Sequence, residues 1–435
     1  MAYQNDAIRE KGVCGYMEKL MVEGLRRLSG AVPIHGAKNS ALPVLAATLL
    51  ADGESRIDNC PDLADVRASV EILRWLGCRV AYDRHSMTVD TAGLCRQDVP
   101  DHLMREMRSS IVFLGAMVAR MGGADLSFPG GCELGPRPID LHLAALRQMG
   151  VTIEEEGGHL HCAAPEGLRG AAITLSFPSV GATENILLAA VTARGTTTII
   201  NAAREPEIVD LCAYLTRCGA RITGAGEGTV LIEGVEHLTG CRHAVIPDRI
   251  EAATYMAAAA VTGGSLVLQK IQPRHLAAVL PAFEEAGCRV SVWDDDVLIS
   301  APPRLRRIKT VRTMPYPGFP TDAQAPVMAM ACVAEGTSVF IENIFESRYK
   351  HVGELTRLGA RIKVEGRVAV VEGVPRLSGA PVECTDLRGG AALVVAALAA
   401  TGETTITGLH HLDRGYEQLT DSLAAAGASI RRTPV

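Results

Sequence analysis

The chain has 435 residues, 48% of them hydrophobic but only 4% aromatic, and a formal net charge of −6. That length is too great for one ordinary core and predicts two domains, while the Ala/Val/Leu-rich composition predicts α/β packing rather than a sandwich of aromatic-studded strands. The acidic balance argues against a nucleic-acid groove or an anionic membrane surface, so an anionic small ligand would need cations gathered locally.

Residues 1–16 lack the apolar stretch of a signal peptide, and Met17 begins a cleaner segment, so they are expected to be a disordered extension outside the fold. Twelve cysteines without a CxxC pair predict reduced thiols and a cytoplasmic chain. No run reaches the ~18 apolar residues of a membrane span; Ala391–Ala400 is expected to be an interior helix.

One pattern recurs six times. An apolar helix ends in a small-residue turn, a β-rich stretch follows, and a second helix closes on glycine before another strand. The closing glycines are Gly77, Gly150, Gly219, Gly287, Gly359 and Gly427, separated by 73, 69, 68, 72 and 68 residues. Such spacing marks an internal repeat, each glycine serving as a left-handed helix stop. Six units divide into two domains of three, one over 38–246 and a discontinuous one over 17–37 plus 247–435. A ligand is expected in the cleft between them.

Within that frame, GAKNSALPVL places Lys38 and Asn39 at a helix start, where free N–H groups and an ammonium can hold an anion. Cys132 lies in the glycine turn FPGGCELGPRPIDLH, with Arg137 and a helix opening at Pro138 to lower its thiol pKa. HLHC (His159–Cys162) puts two histidines on one strand face without a third ligand, and no metal site is expected. Cys78, Cys218 and Cys288 are expected to be core thiols, and GAGEGTV (Gly224–Val230) a hairpin turn.

PSVGATENILLAA offers the N–H groups of Ser179, Val180 and Gly181 as a pyrophosphate seat. FPTDAQAPVMAM places Asp322 at an N-cap position, where a capping aspartate is the plain alternative to a chemical role. Arg108, Arg249, Arg348, Arg388 and Arg414 are expected in turns, suited to carboxylate and phosphate.

Taken together, GAKNSALP, MRSSI, PGGCELGPRPIDLH, PSVGATEN, NAAREPEIVD, PDRIE, FPTDAQAP, TDLRGGAA and HLDRGYE resemble the UDP-N-acetylglucosamine branch of the enolpyruvyl transferase family, from Met17 to the C-terminus. The resemblance implies an inside-out α/β barrel of six βαβαββ-like repeats in two domains. It also implies transfer of the enolpyruvyl group of phosphoenolpyruvate to the sugar 3′-hydroxyl, in the opening of peptidoglycan synthesis. No cofactor, metal or obligate protein partner is implied.

Residue by residue, Cys132 falls on the reactive cysteine, which protonates C3 of phosphoenolpyruvate, forms a covalent adduct and is the target of fosfomycin. Asp322 falls on the carboxylate that accepts the hydroxyl proton. Lys38, Asn39, Arg137, Arg348, Arg388 and Arg414 match the phosphoenolpyruvate cradle. Arg108, Arg137, Pro138, Ile139, Asp140, Leu141, His142, Ser179, Val180, Gly181, Asp322 and Ile344 match the sugar-nucleotide contacts. Some members carry a lysine where this chain has Phe177, so no diphosphate contact is implied there. RGGAA after Arg388 resembles the branch of bacteria with two copies. Two other readings stand beside this one: a transferase acting on shikimate 3-phosphate, which shares the fold but lacks the cysteine turn, and a non-catalytic sugar-nucleotide sensor.

Overall fold

Each of the six regularly spaced glycines ends a helix. In the computed structural model, which describes residues 18–129 and 139–434, their φ angles are 106°, 98°, 111°, 94°, 91° and 101°. The residue after each glycine donates its N–H back across the last turn: Cys78 to Leu73, Val151 to Leu146, Ala220 to Leu215, Cys288 to Phe283, Ala360 to Leu355 and Ala428 to Leu423, at 2.9–3.1 Å. Glycine is needed because a side chain would strain that left-handed residue.

Around these stops each repeat has one plan: an inner helix, a strand, an outer helix and a final pair of strands, the sixth pair being completed by Glu18–Glu23. The inner helices are Lys38–Ala47, Phe113–Met121, Val180–Ala190, Arg249–Val261, Thr321–Ala331 and Leu387–Leu398. They are apolar on nearly every side and buried almost throughout, as such helices must be. Outer helices such as Ala64–Leu76 and Pro206–Arg217 alternate buried and exposed faces.

The described strands form six four-stranded and two two-stranded sheets. Each repeat's sheet takes its first strand in parallel from the preceding segment, and in two places that strand comes from far away. Arg242–Ala244 closes on Glu54–Asp58, with His243 opposite Ile57. Ser29–Pro33 joins Ser265–Gln269, with Val32 opposite Leu268. Glu18–Glu23 fills the sixth sheet between Glu403–Thr407 and Ser429–Pro434.

Burial gathers into two hydrophobic cores, one from Ala41 to Val245 and one from Leu20–Ile34 together with Ile250–Ile430. The chain crosses between them twice, side by side: Ala37 donates to the Ile246 carbonyl at 2.7 Å and Asp248 to that of His35 at 2.8 Å. Gly36 sits in this crossing, where a Cβ would come within 1.8 Å of the Asn59 carbonyl oxygen.

Several local expectations hold. Cys78, Cys218 and Cys288 are buried, and Gly224–Gly228 turns a hairpin between Arg221–Thr223 and Thr229–Glu233. His159 and His161 share an exposed strand face. No described helix is long and apolar enough to cross a membrane. The helix expected over Ala391–Ala400 instead starts at Leu387 and stops at Leu398, because Ala400–Thr401 pairs as a strand with Leu377–Ser378.

Candidate active site

The first turns of inner helices carry polar residues into the junction of the two cores. Lys38, buried at the start of its helix, places Nζ 2.9 Å from Asp65 Oδ2. Arg414, from the second core, places Nε 2.9 Å from the other oxygen of the same carboxylate. Burial alone would raise the Asp65 carboxyl, but the charges of Lys38 and Arg414 outweigh it and hold the group below its ordinary range. Lys38 is therefore a buried ion-paired residue and not a solvated lysine. Its own N–H lies 3.4 Å from Asp248, whose carboxylate caps the helix Arg249–Val261.

A second cation–carboxylate group adjoins the first. Asp322 lies 3.0 Å from Arg348 Nη2 and 3.2 Å from Arg388 Nη2, and Asn39 Nδ2 stands 3.4 Å from the same carboxylate. Both guanidiniums are 2% exposed, and Nε of each is buried without a hydrogen-bond partner. Each of the two carboxylates is shared by two cations, which leaves unspent donors on the buried Arg348 and Arg388, while Asp322 and Arg414 are 26% and 36% exposed. Such a cluster can receive an anion, since the buried guanidinium N–H groups left without partners are costly unless an acceptor meets them.

Two expectations need correction here. Asp322 is the second residue of its helix and caps nothing; Pro320 stands at the N-cap. Its carboxylate turns instead to the arginines, a stronger attraction than the backbone N–H groups offer. Arg249 and Arg388 lie in the first turns of helices rather than in connecting turns. Arg249 is paired with Glu207, with bonds of 3.0 and 3.2 Å, and also feels the charge of Asp322.

The other described residues expected to contact the sugar nucleotide lie in the first core, apart from Ile344. Ser179 caps its helix, accepting from Ala182 N–H at 3.3 Å. Its own N–H is already given to the Phe177 carbonyl at 2.7 Å, so Val180 and Gly181 carry the N–H groups of the first turn. His142 packs against that turn: a Cβ on Gly181 would stand 2.8 Å from His142 Cε1. Burial lowers the His142 imidazole to about 4, with Asp140 opposing and Arg108 reinforcing the shift, so the ring is neutral at physiological pH. Arg108 opens a 3₁₀ turn, Ile139 and Leu141 are partly buried beside His142, and Asp140 is exposed. Phe177 is 42% exposed. Ile344 is tied to the Asp322 helix through Glu342, which accepts from Ile344 N–H at 2.8 Å and from Thr321 Oγ1 at 3.0 Å.

Cys132, Arg137 and Pro138 lie outside the described residues, as does the segment 1–17. Four residues escaped the sequence reading: Asp65, Asp248 and Glu342 at the junction, and Asn185 within the first core. A signal for Asp65 existed in the repeat itself. Asp65 and Glu207 both occupy the second position of an outer helix, and each pairs with the first residue of an inner helix, Lys38 or Arg249.

A model of the EPSP synthase (3-phosphoshikimate 1-carboxyvinyltransferase) family matches residues 22–423. A protein of Caldanaerobacter subterraneus subsp. tengcongensis named UDP-N-acetylglucosamine 1-carboxyvinyltransferase 2 is 50% identical over 416 residues, 96% of this chain and 100% of the relative. UDP-N-acetylglucosamine 1-carboxyvinyltransferase 1 of Symbiobacterium thermophilum is 51% identical over 95% of both chains. Among solved structures, the enolpyruvyl transferase NikO from Streptomyces tendae superposes with a TM-score of 0.87 at 31% identity, over 96% of this chain and 99% of that one. EPSP synthase from Acinetobacter baumannii, at 19% identity, shares the fold with a TM-score of 0.75 over 96% of this chain and 100% of its own.

Proposed function

From membership of the EPSP synthase family of enolpyruvyl transferases, to which this chain belongs, we propose that it transfers the enolpyruvyl group of phosphoenolpyruvate to the 3′-hydroxyl of UDP-N-acetylglucosamine. Phosphate is released, and the reaction is the first committed step of peptidoglycan biosynthesis. The observation that carries the reading on this chain's own residues is the pair of cation–carboxylate groups at the junction of the two cores.

Phosphoenolpyruvate brings a carboxylate and a phosphate, and Lys38, Asn39, Arg348, Arg388 and Arg414 receive them, with Arg137 completing the cradle. The sugar nucleotide occupies the seat of Arg108, the run Arg137 to His142, and Ser179 to Gly181, reaching Asp322 and Ile344 at its reacting end. Asp322 accepts the 3′-hydroxyl proton as the oxygen attacks C2, and Cys132 donates a proton to C3. In the resulting tetrahedral adduct the Cys132 thiolate takes a proton back from C3 as the C2–O bond to phosphate breaks, which restores the double bond while phosphate departs toward the cations. General acid and base groups of this kind each contribute ~10²–10⁴-fold, and fixed cations stabilise the leaving phosphate without reorganising.

The six repeats form an inside-out α/β barrel, divided into 38–246 and 17–37 plus 247–435. The two hydrophobic cores and the returning N-terminal strands support that division. Ten cysteines of the described residues are free thiols, which supports a cytoplasmic setting. The deciding experiment measures phosphate release from phosphoenolpyruvate with UDP-N-acetylglucosamine or shikimate 3-phosphate as acceptor, without added metal. Release with the sugar nucleotide alone is expected; activity with shikimate 3-phosphate alone overturns the assignment.

A further inference from the structure

Asn185 is wholly buried within the helix Val180–Ala190. A buried amide must satisfy both its ends, and this one does so across three elements. Its Oδ1 accepts from Gly115 N–H at 2.7 Å. Its Nδ2 stands 3.1 Å from the Ile111 carbonyl, 2.9 Å from His142 Nδ1 and 3.3 Å from the Gly181 carbonyl. The Gly115 N–H can only donate, and the two carbonyls can only accept, so the amide has one consistent orientation.

That orientation decides the state of His142. With an amide donor facing it, Nδ1 is an acceptor, and the single proton of the neutral ring sits on Nε2. Among the described residues Nε2 has no protein partner. It lies 3.1 Å from where a Cβ on Gly181 would stand, so it faces the first turn of the Ser179-capped helix. The charged groups facing the ring are Asp140 and Arg108.

We propose that Asn185 is a positioning residue for the sugar nucleotide: it pins the Arg108–Val112 turn, His142 and the Ser179–Gly181 helix start together, and presents His142 Nε2–H to the ligand as a fixed donor. This rests on the sugar-nucleotide reading given above. A pre-set donor loses no orientational freedom on binding, and an acceptor-only tautomer would repel the oxygens of a nucleotide. The residue acts through His142 and the backbone and touches no reacting atom.

The test has two parts. In full-length protein labelled with ¹⁵N-histidine, long-range ¹H–¹⁵N spectra at neutral pH are expected to show His142 protonated at Nε2 and bare at Nδ1, the signal being assigned by its loss in His142→Gln. Asn185→Asp replaces the donor by an acceptor and is expected to move that proton to Nδ1. In Asn185→Asp and Asn185→Leu, KM for UDP-N-acetylglucosamine is expected to rise by about tenfold or more, the worth of one directed buried hydrogen bond, while KM for phosphoenolpyruvate stays within about twofold of wild type. An Nδ1-protonated wild-type ring, or an unchanged sugar-nucleotide KM in a folded Asn185→Leu, overturns the inference. If the variants do not fold, the wild-type spectrum still decides. Wild-type enzyme that shows the expected tautomer but ignores UDP-N-acetylglucosamine overturns the functional reading instead.

Discussion

Asn39 and Asp322 occupy the same place in two copies of the repeat, and their side chains stand 3.4 Å apart across the junction of the two cores. Each is the second residue of an inner helix, and each has a proline four residues on, Pro43 and Pro326. A proline there removes the helical bond to the carbonyl of Asn39 or Asp322. The two helices therefore bring equivalent positions face to face, one neutral and one charged, and only the charged one engages the arginines.

From that asymmetry, Asp322→Asn is expected to lower phosphate release by ~10²–10⁴-fold, because the amide keeps the shape but cannot accept the hydroxyl proton. Steady-state turnover, with circular dichroism to verify folding, checks it. A loss of less than about threefold would remove Asp322 from the role of general base.

Asp65→Asn tests the first cation group. Removing one partner of a buried ion pair costs about 3–5 kcal/mol. The Asp65 carboxyl is held below its ordinary value, with Lys38 and Arg414 outweighing its burial. The stabilisation is therefore full above the unfolded aspartate value of about 3.9 and is lost as pH falls through the lower folded value. Urea melts at neutral pH should separate variant from wild type, and the gap should narrow below about pH 3.9. A gap independent of pH would contradict the ion pair.

Fosfomycin is expected to label Cys132 ahead of the other thiols, the phosphonate being held by the same cations as phosphate. Burial pushes the thiols of Cys60, Cys78, Cys212, Cys288, Cys332 and Cys384 up to about 12, which disfavours their thiolates. Cys95 is exposed and supplies the internal comparison. Peptide mass mapping after brief exposure should find Cys132 modified and Cys95 intact, and Cys132→Ala inactive. Equal labelling of the two would deny Cys132 any special environment.

Gly181→Ala is expected to raise KM for the sugar nucleotide by about tenfold or more. The added methyl would press within 2.8 Å of His142 Cε1, inside the wall of the nucleotide seat. The backbone conformation itself tolerates alanine there, since Gly181 is not among the glycines with positive φ. Thermal stability should change less than affinity; normal affinity would show that His142 is free to move aside.

Local chemistry carried much of this protein in plain view. Helix stops at Gly77, Gly150, Gly219, Gly287, Gly359 and Gly427 depend on a backbone geometry that glycine alone adopts cheaply, so their spacing exposed the repeat before any contact was known. Lys38, Asn39 and Ser179 were legible as helix starts for a similar reason: the signal lies within a few residues of chain. Asp322 was placed two positions wrong, because FPTD reads like a cap until the arginines from 26 and 66 residues away enter.

Tertiary structure decided what distance in the chain conceals. Asp65 meets Arg414 across 349 positions, Glu18–Glu23 completes a sheet with residues beyond 400, and Asn185 chooses the tautomer of a histidine 43 positions away. Composition and periodicity determine which segments become helices and strands, because those preferences are local. Which buried charge neutralises which, and which nitrogen of His142 holds the proton, depends on desolvation and hydrogen-bond partners that exist only once the two cores have packed.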